Sequence, residues 1–478
     1  MSKKQFYFSK MKREVKREQF KNLEVIDINS KGGGVVKSDD GKVIFVKGVV
    51  PGDKITIEIF KKRRRYFEAS LIKMNKPSSN RVNPVCKHFG ICGGCKWQNL
   101  SYKSQLIFKQ KEILHTLEKF SGMVPLKINK IKAAKKTYFY RNKMEYAFSN
   151  QRWLIDEEIK SKTETLEKKG LGFHKAGMWD KVVDIEKCHL QKEPANIIRN
   201  GLKQFALDND LEFFNQRDQS GFLRSLMIRN SNQGEFMVLI QFYRENNVNR
   251  KLILDYLKNE FDLTSLLYCI NSKANDTIYD QEIKVYDGSE FITEVMEGLK
   301  FRINAKSFFQ TNMYQAHELY KITREFAGLK GHELVYDLYS GTGTIAQFLA
   351  GHCNKVVGIE SIPDAIALAK ENSKINGIKN TTFEVGDMRK VFNNDFINRH
   401  GVADVVITDP PRNGMHADVI KQLLKLAPEK IVYVSCNIAT QSRDLYLMKE
   451  KYKLSKCQAV DMFPQTQHIE NVVLLEKI

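Results

Sequence analysis

Residues 333–350, ELVYDLYSGTGTIAQFLA, decide the fold of the C-terminal part of this chain. An apolar run reaches Asp337, a turn follows with Gly341 and Gly343, and a helical pattern begins after the turn. A strand, a glycine-rich turn and a helix in this order predict a doubly wound α/β domain, in which ligands bind at the carboxyl ends of the strands. The turn is neither G-x-G-x-x-G nor a phosphate loop ending in Lys-Ser/Thr, which disfavours a ligand held through nucleotide phosphates.

Three more acidic residues follow apolar runs further along the chain. Glu360 ends KVVGIE, Asp387 ends TTFEVGD and Asp409 follows DVVIT, so that the four acids recur at intervals of 22 to 27 positions. This recurrence predicts that all four lie along one edge of a parallel sheet. Acids there can accept hydrogen bonds from ribose hydroxyls, and we expect a ligand with a ribose and an adenine but no phosphates, S-adenosylmethionine. Any one of these carboxylates could instead be a helix N-cap or a surface acid.

A thiol and a carboxylate complete this predicted edge. Cys436 follows the apolar run KIVYVS, and Glu470 precedes the last apolar strand. The pair suits methylation of C5 in uracil, a carbon too weakly nucleophilic to attack a sulfonium methyl unaided. A thiolate that adds to C6 creates an enolate with electron density at C5, and a base later removes the C5 proton so that the thiol can leave. The alternative interpretation of Cys436 is a small buried hydrophobe.

The composition favours a polyanionic partner. With 77 basic and 56 acidic residues the net charge is +21, and the commonest intracellular polyanion is nucleic acid. A basic enzyme without such a partner is the alternative. No apolar run approaches the roughly 18 residues of a membrane span, and the basic N-terminal segment lacks the features of a signal peptide. We therefore expect a cytoplasmic protein with no membrane association.

The sequence of the N-terminal part predicts a basic arm followed by a small domain. Residues 1–22 are interpreted as a basic arm, and residues 23–78, with short apolar segments broken by Gly and Asp, as a small β-barrel. Basic residues 61–65 lie beside Tyr66 and Phe67, a pairing that can hold phosphates and stack bases, although a solvated hairpin is the alternative. Residues 79–310 are expected to form a central α+β domain, and residues 311–478 the ligand-binding α/β domain.

A cluster of thiols begins the central domain. CKHFGICGGC supplies Cys86, Cys92 and Cys95, and IEKCHL supplies Cys188. Three close thiolates and a distant one suit either a zinc ion or an iron–sulfur cluster, and ligand chemistry alone leaves both open. His88 and His189 are interpreted as neighbours of this site rather than as ligands.

The chain resembles the RNA (uracil-5-)-methyltransferases over nearly its whole length, and most closely the type that acts on 23S ribosomal RNA. That type carries an N-terminal TRAM domain and a 4Fe-4S cluster. The segments that carry the resemblance are VIDINSKGGGVVK, VPGD, CKHFGICGGCKWQNL, YRNKMEYAF, SFFQTN, DLYSGTGT, DPPR, SCN followed by RD, and DMFPQTQHIE.

The resemblance implies a three-part α/β fold: an OB-like TRAM barrel, a central α+β domain with the cluster, and a Rossmann-like domain that uses S-adenosylmethionine. It implies that Cys436 is the nucleophile and Glu470 the base. The implied cofactor-binding residues are Gln310, Tyr339, Gly341, Glu360, Asp387 and Asp409. The implied ligands of the 4Fe-4S cluster are Cys86, Cys92, Cys95 and Cys188.

Three further residues are interpreted through the same resemblance. His468 is expected to assist the base, and Arg412 to contact RNA or to order its loop. The family usually has a proline after SCN, where this chain has Ile438. Since proline fixes φ and lacks an N–H, we expect a slightly less rigid loop here.

Three alternatives concern the substrate and the activity. Uracil in the T-loop of tRNA is the first, although family members that act on tRNA can lack the barrel and the cluster, which favours 23S rRNA. Cytosine-5 methylation is rejected, because the Pro-Cys nucleophile common in that reaction is missing from TDPPRNG. A non-catalytic RNA-binding or ribosome-assembly factor is the third. The target base must leave its stack to be reached, and a monomer is expected.

Overall fold

The structure is a computed structural model that describes residues 18–161 and 166–478. Residues 1–17 of the predicted basic arm lie outside the described residues, whereas residues 19–22 belong to the first strand. The described chain forms two compact units. The first contains residues up to 83 together with 99–101, and the second contains residues 84–98 and 102–478. The predicted domain limits after residues 78 and 310 stay predictions.

The first unit is a six-stranded sheet that curls back on itself. Its strands are β1 (Gln19–Glu24), β2 (Asp27–Ile28), β3 (Gly34–Lys37), β4 (Val43–Val46), β5 (Lys54–Lys62) and β6 (Tyr66–Lys76). Strands β1 and β2 occupy opposite ends of the order β1-β5-β6-β4-β3-β2, yet only Val25 and Ile26 separate them in the chain. Val25 N–H donates to Asp53 O at 2.9 Å and Ile26 N–H donates to Val35 O at 2.9 Å. The two ends of the sheet are thereby joined, as a small barrel requires.

The second unit begins with a long helix and a seven-stranded sheet. Its first elements are α1 (Tyr102–Phe120), β7 (Lys127–Ile128), β8 (Lys143–Ser149), α2 (Asp156–Ser161), β9 (Gly170–His174), β10 (Val182–Asp184), α3 (Ala195–Asp208), β11 (Leu223–Asn230), β12 (Phe236–Phe242), α4 (Asn247–Glu260), β13 (Ser265–Ile270) and β14 (Lys284–Gly288). The order of the sheet is β10-β9-β8-β11-β12-β13-β14. Strands β11 and β12 pair antiparallel and are buried along their whole length. Their alternate residues pack into two different apolar clusters, so both faces of the sheet are covered here.

The remaining elements build the α/β part. They are β15 (Ile292–Met296), β16 (Leu299–Ile303), α5 (Met313–Ala327), β17 (Leu334–Leu338), α6 (Thr344–Ala350), β18 (Lys355–Glu360), α7 (Pro363–Ile375), β19 (Thr381–Val385), α8 (Met388–Val391), α9 (Asn394–His400), β20 (Val405–Thr408), α10 (Ala417–Leu426), β21 (Lys430–Ser435), α11 (Ile438–Met448), β22 (Tyr452–Val460) and β23 (Glu470–Lys477).

The strand order of this sheet fixes where chemistry can occur. It runs β19-β18-β17-β20-β21-β23-β22-β7, and β17 to β21 are parallel neighbours. Strand β23 pairs antiparallel with β21, and Ser435 lies opposite Asn471. The first residue of β23 therefore lies at the same edge as the last residues of the parallel strands. The predicted acids, the thiol and the C-terminal glutamate all reach this single edge.

Close packing behind the glycine-rich turn holds the edge in place. Gly343 has φ 72°, and a Cβ there would lie 2.7 Å from Phe383 Cζ and 2.9 Å from Ala369 Cβ. Any other residue would be strained in this left-handed conformation and would also clash. In the described part of the chain, no helix is both long and apolar enough to cross a membrane.

Candidate active site

Cys436 and Glu470 lie beside each other because their strands pair antiparallel. Cys436 directly follows β21, Glu470 begins β23, and the preceding register pair is Ser435 with Asn471. Burial, and then the negative charges of Glu470 and Asp409, raise the pKa of Cys436 to about 11. The resting cysteine is therefore a thiol at neutral pH.

Asp337 and Asp409 form a buried acidic group with Glu470. Burial and then the neighbouring Asp409 raise the pKa of Asp337 to about 8, and burial raises the pKa of Asp409 to about 7. Burial and the nearby Asp409 also raise the pKa of Glu470 well above its ordinary value. Asp337 Oδ2 accepts a hydrogen bond from Ala346 N–H at 3.1 Å, but Oδ1 has no partner among the described residues. A buried carboxylate oxygen without a partner fits a ligand that brings a donor or a positive charge.

The glycine-rich turn lies between this acidic group and Glu360. Tyr339 has φ 65° and Gly341 has φ 54°, so the backbone turns sharply twice. Glu360 Oε2 accepts a hydrogen bond from Gly341 N–H at 3.1 Å, which ties the ends of β17 and β18 together. A Cβ on Gly341 would meet no atom within 4 Å. The turn thus borders open space in which a ligand can approach the backbone.

Gln310 and Asp387, both predicted to contact the cofactor, lie in different surroundings. Gln310 is buried in the loop before α5, and its carbonyl accepts a hydrogen bond from Asn142 Nδ2 at 3.1 Å. Asp387 lies at the predicted sheet edge, but its carboxylate caps α8 and pairs with Arg389 at 2.6 Å. The hydrogen bond from Arg389 lowers the pKa of Asp387 to about 2. The structure therefore does not bring Asp387 into the buried acidic group, and its predicted contact with a cofactor stays a prediction.

The start of α11 holds the loop that carries Arg412. Asn437 Nδ2 donates to Arg412 O at 2.9 Å, and Arg443 donates to Met415 O at 3.2 Å. Buried Asp444 accepts a hydrogen bond from Met415 N–H at 2.8 Å. The polar residues that follow Cys436 thus order the DPPR loop beside the thiol, and Arg412 is close enough to oppose the rise in the pKa of Cys436.

His468 is surrounded by cations. Burial, and then Arg412, Lys96, Lys109 and Arg141, lower its pKa to about 4, so the imidazole is neutral at neutral pH. A neutral imidazole can accept a hydrogen bond or a proton, and the exposed cations among its neighbours, Lys96 and Arg412, can contact the phosphates of a nucleic acid.

Sequence reasoning missed the side chains that fix the segment before Glu470. Lys109 of α1 and Asp461 form an ion pair at 2.6 Å, and both side chains are fully buried. Tyr102 O–H also donates to Asp461, at 2.8 Å. A lysine among the charged residues of α1 is expected on the surface, and no signal in the sequence pairs it with an aspartate more than 350 positions away.

The four predicted thiol ligands lie together. Cys86, Cys92, Cys95 and Cys188 line one cavity of about 550 Å³. Burial first, and then the other three thiols, raise the pKa of Cys95 to about 12. Asn196 fixes the backbone of Cys188, because it accepts the Cys188 N–H at 2.8 Å and donates to Cys188 O at 3.1 Å.

The thiol cavity is also lined by two histidines, His88 and His189. Among the residues that the structure describes, no three His, Cys, Asp or Glu side chains converge closely enough to hold one metal ion. His88 Nε2 accepts a hydrogen bond from Glu186 N–H at 3.1 Å, and the His189 ring packs against Tyr138 and Phe139. Both histidines therefore have structural partners, and the ligation of a metal centre by the four thiols stays a prediction.

Comparison with known proteins adds relatives of nearly the same length. The sequence profile of the family described as tRNA (Uracil-5-)-methyltransferase matches residues 280–478. An uncharacterized RNA methyltransferase of Porphyromonas gingivalis is 47% identical over 461 residues, which cover 95% of this chain and 99% of that protein. An uncharacterized RNA methyltransferase of Bacteroides thetaiotaomicron is 48% identical over 451 residues, which cover 94% and 99%.

A solved structure is similar over the whole chain. The tRNA (uracil-54, C5)-methyltransferase of Pyrococcus abyssi, in complex with S-adenosyl-L-homocysteine, matches with a TM-score of 0.75 and 30% identity, covering 96% of this chain and 100% of that chain. Together with these relatives, the fold and the site define an RNA methyltransferase. The chain belongs to the RNA (uracil-5-)-methyltransferase family.

Proposed function

We propose that this protein transfers a methyl group from S-adenosylmethionine to C5 of uracil in 23S ribosomal RNA and forms 5-methyluridine. The observation that carries the proposal is the pairing of β21 with β23, which brings the Cys436 thiol beside the Glu470 carboxyl. C5 methylation needs a nucleophile that reaches C6 and a base that reaches the proton on the adjacent C5.

The residues at the sheet edge fit the cofactor. When bound, S-adenosylmethionine supplies an electrophilic methyl group on a sulfonium. The unpartnered Asp337 Oδ1 can accept a hydrogen bond from its amino group, and Glu360 can accept hydrogen bonds from ribose hydroxyls. The other residues that we expect to contact it are Gln310, Tyr339, Gly341, Asp387 and Asp409.

Cys436 starts the reaction. The Cys436 thiol gives its proton to solvent water and Sγ adds to C6 of uracil, which places electron density on C5. Since the N-terminus of an α-helix favours negative charge, the start of α11, two residues beyond Cys436, stabilises the thiolate, and Arg412 does the same. C5 then forms a bond to the donated methyl carbon, and the bond between that carbon and the donor sulfur breaks with its electron pair left on sulfur.

Glu470 completes the reaction. In its ionised form it accepts the proton from C5, the Sγ–C6 bond breaks and the C5–C6 double bond is restored. The methyl group has then replaced the C5 hydrogen, one proton lies on Glu470, and the cysteine regains the proton that it lost at the start. Neutral His468, two positions before Glu470, can relay that proton to solvent.

We further propose that Cys86, Cys92, Cys95 and Cys188 hold a 4Fe-4S cluster. Four thiolates in a partly buried cavity repel one another and need compensating positive charge, which the iron atoms of a cluster would supply. In this role the cluster would join the segment that contains residues 86–95 to Cys188, in the loop between β10 and α3.

Trapping the covalent intermediate tests the proposed function. With RNA that contains 5-fluorouridine, the base cannot remove fluorine, so the wild-type protein and S-adenosylmethionine should yield a denaturant-stable adduct that maps to residue 436. Cys436→Ala should form no adduct and should lose at least about a thousandfold of methyl transfer. Cys353→Ala removes another buried thiol and should behave as wild type. An adduct at any other residue, or turnover without an adduct, would contradict the proposal.

Uracil in tRNA is the second candidate substrate. The solved relative that acts on tRNA matches 96% of this chain, so the presence of the N-terminal barrel does not separate the two substrate classes. Unmodified 23S rRNA and tRNA transcripts, offered together with labelled methyl donor, decide between them. We expect 5-methyluridine in the 23S transcript; label only in tRNA would replace the ribosomal substrate and leave the reaction unchanged.

A further inference from the structure

Gln465 lies in a strained conformation close to the predicted base. Its φ is 69°, in the left-handed region that non-glycine residues seldom adopt, and the residue is 4% exposed. It precedes Glu470 by five positions in the segment between β22 and β23. A strained buried residue persists only where its surroundings hold it, so its partners identify what fixes this segment.

The main partner of Gln465 is another glutamine. Gln105 of α1 is completely buried, and its Oε1 accepts the Gln465 N–H at 2.9 Å. Gln105 Nε2 donates to Gln465 Oε1 at 3.0 Å and to Trp97 O at 3.0 Å. A single side chain therefore joins three parts of the unit: α1, the segment before Glu470 and the segment that follows Cys95.

A direct backbone contact strengthens this link. The N–H groups of Lys96 and Trp97 both donate to Gln465 O, each at 3.0 Å. Cys95, one of the four thiols of the cavity, immediately precedes Lys96. Any displacement of the cysteine-bearing segment therefore pulls on the carbonyl of Gln465, and through it on the chain that leads to Glu470.

We propose that the Gln105–Gln465 pair is a positioning device for Glu470 and makes the position of this base depend on the cysteine-bearing segment. The inference rests on the proposed function, in which Glu470 removes the C5 proton. Loss of the pair slows that step, whereas the earlier addition of Cys436 to C6 is unaffected, because Cys436 is held by β21 and α11. The intermediate that carries both the methyl group and the Cys436 bond then accumulates.

The test compares Gln105→Met with Gln110→Met. The first change nearly keeps the side-chain volume but removes the hydrogen bonds of the Gln105 amide to Gln465 and Trp97. The control changes the same residue type on α1, where Gln110 Oε1 accepts the Ile131 N–H at 2.7 Å. With ordinary uridine RNA, Gln105→Met should raise the steady-state fraction of denaturant-stable adduct about tenfold and lower turnover in proportion, as the loss of buried hydrogen bonds implies. With 5-fluorouridine RNA, its rate of adduct formation should equal that of wild type, and Gln110→Met should change neither readout.

Other outcomes separate the inference from the proposed function. Two results for Gln105→Met would overturn the inference: turnover equal to that of wild type, or lower turnover without accumulation of the adduct. If that variant does not fold, Gln465→Gly decides, since glycine adopts the same φ without strain and removes the side chain that accepts the hydrogen bond from Gln105 Nε2. Absence of adduct accumulation in Gln465→Gly would also overturn the inference. Failure of the wild-type protein to form the 5-fluorouridine adduct would instead remove the proposed function.

Discussion

The raised pKa values of Asp337 and Asp409 predict that binding of a positively charged ligand beside them releases protons. Their pKa values are about 8 and about 7, because both carboxyls are buried and each lies near another acid. In the free protein they are therefore partly protonated at neutral pH. A positively charged ligand at this edge favours the ionised carboxylates, so its binding releases protons and tightens as the pH rises.

The charge of the sulfonium provides a direct test. S-adenosylmethionine and S-adenosylhomocysteine share the amino, carboxyl, ribose and adenine groups, and only the former carries the extra positive charge at sulfur. Between pH 6 and pH 8.5 we expect the affinity for S-adenosylmethionine to rise about tenfold more than that for S-adenosylhomocysteine. Titration calorimetry at several pH values measures both. Equal slopes for the two ligands would show that these carboxyls do not respond to the sulfonium.

The start of α11 shows why Ile438 can replace the family's proline. Asn437 is the N-cap residue, and its side chain accepts a hydrogen bond from Ala439 N–H. Ile438 is the first helical residue, where the N–H has no partner within the helix. Proline at this position loses no helical hydrogen bond. The expected loss of rigidity is countered by the hydrogen bond from Asn437 Nδ2 to Arg412 O at 2.9 Å.

Ile438→Pro should therefore fold and keep its activity. We expect a gain of about 0.5 kcal/mol in the free energy of unfolding, because proline restricts the unfolded chain, offset in part by the loss of the apolar contacts of Ile438. Chemical denaturation measures the change. Ile420→Pro is the contrasting variant within α10, where proline breaks the helix and should cost about 3 kcal/mol. A comparable loss in Ile438→Pro would mean that this loop needs the isoleucine.

The strands that could be predicted from the sequence are those that follow from local patterns of apolar residues and turns. The apolar runs before Asp337, Glu360 and Asp409 are parallel strands, because each run is followed by a turn and a helix that covers the sheet. Polar contacts between distant segments carry no such pattern. The buried pair Lys109–Asp461 could not be predicted, since a charged residue is buried only where the folded chain supplies its partner.

Across the whole molecule the net charge is +21, and acidic neighbours pair with only some residues of the predicted basic run 61–65. Lys61 pairs with Glu68 at 3.7 Å and Lys62 with Glu18 at 2.6 Å. Arg63, Arg64 and Arg65, at the turn between β5 and β6, are exposed. Exposed arginines are free to replace the counterions of a nucleic acid, whereas the paired lysines already have an acidic neighbour.

Replacing residues 63–65 by glutamine should therefore reduce the salt dependence of RNA binding. Each lost phosphate contact lowers the slope of log K against log salt concentration by roughly 0.7 to 0.9, so three contacts lower it by about 2 to 3. Because counterion release contributes most when salt is low, the triple variant should bind more weakly than wild type at low salt and approach it at high salt. Filter binding over a salt series measures the slope. The matched double variant Lys61→Gln, Lys62→Gln should change the slope less, and an unchanged slope in the triple variant would exclude this surface from the RNA interface.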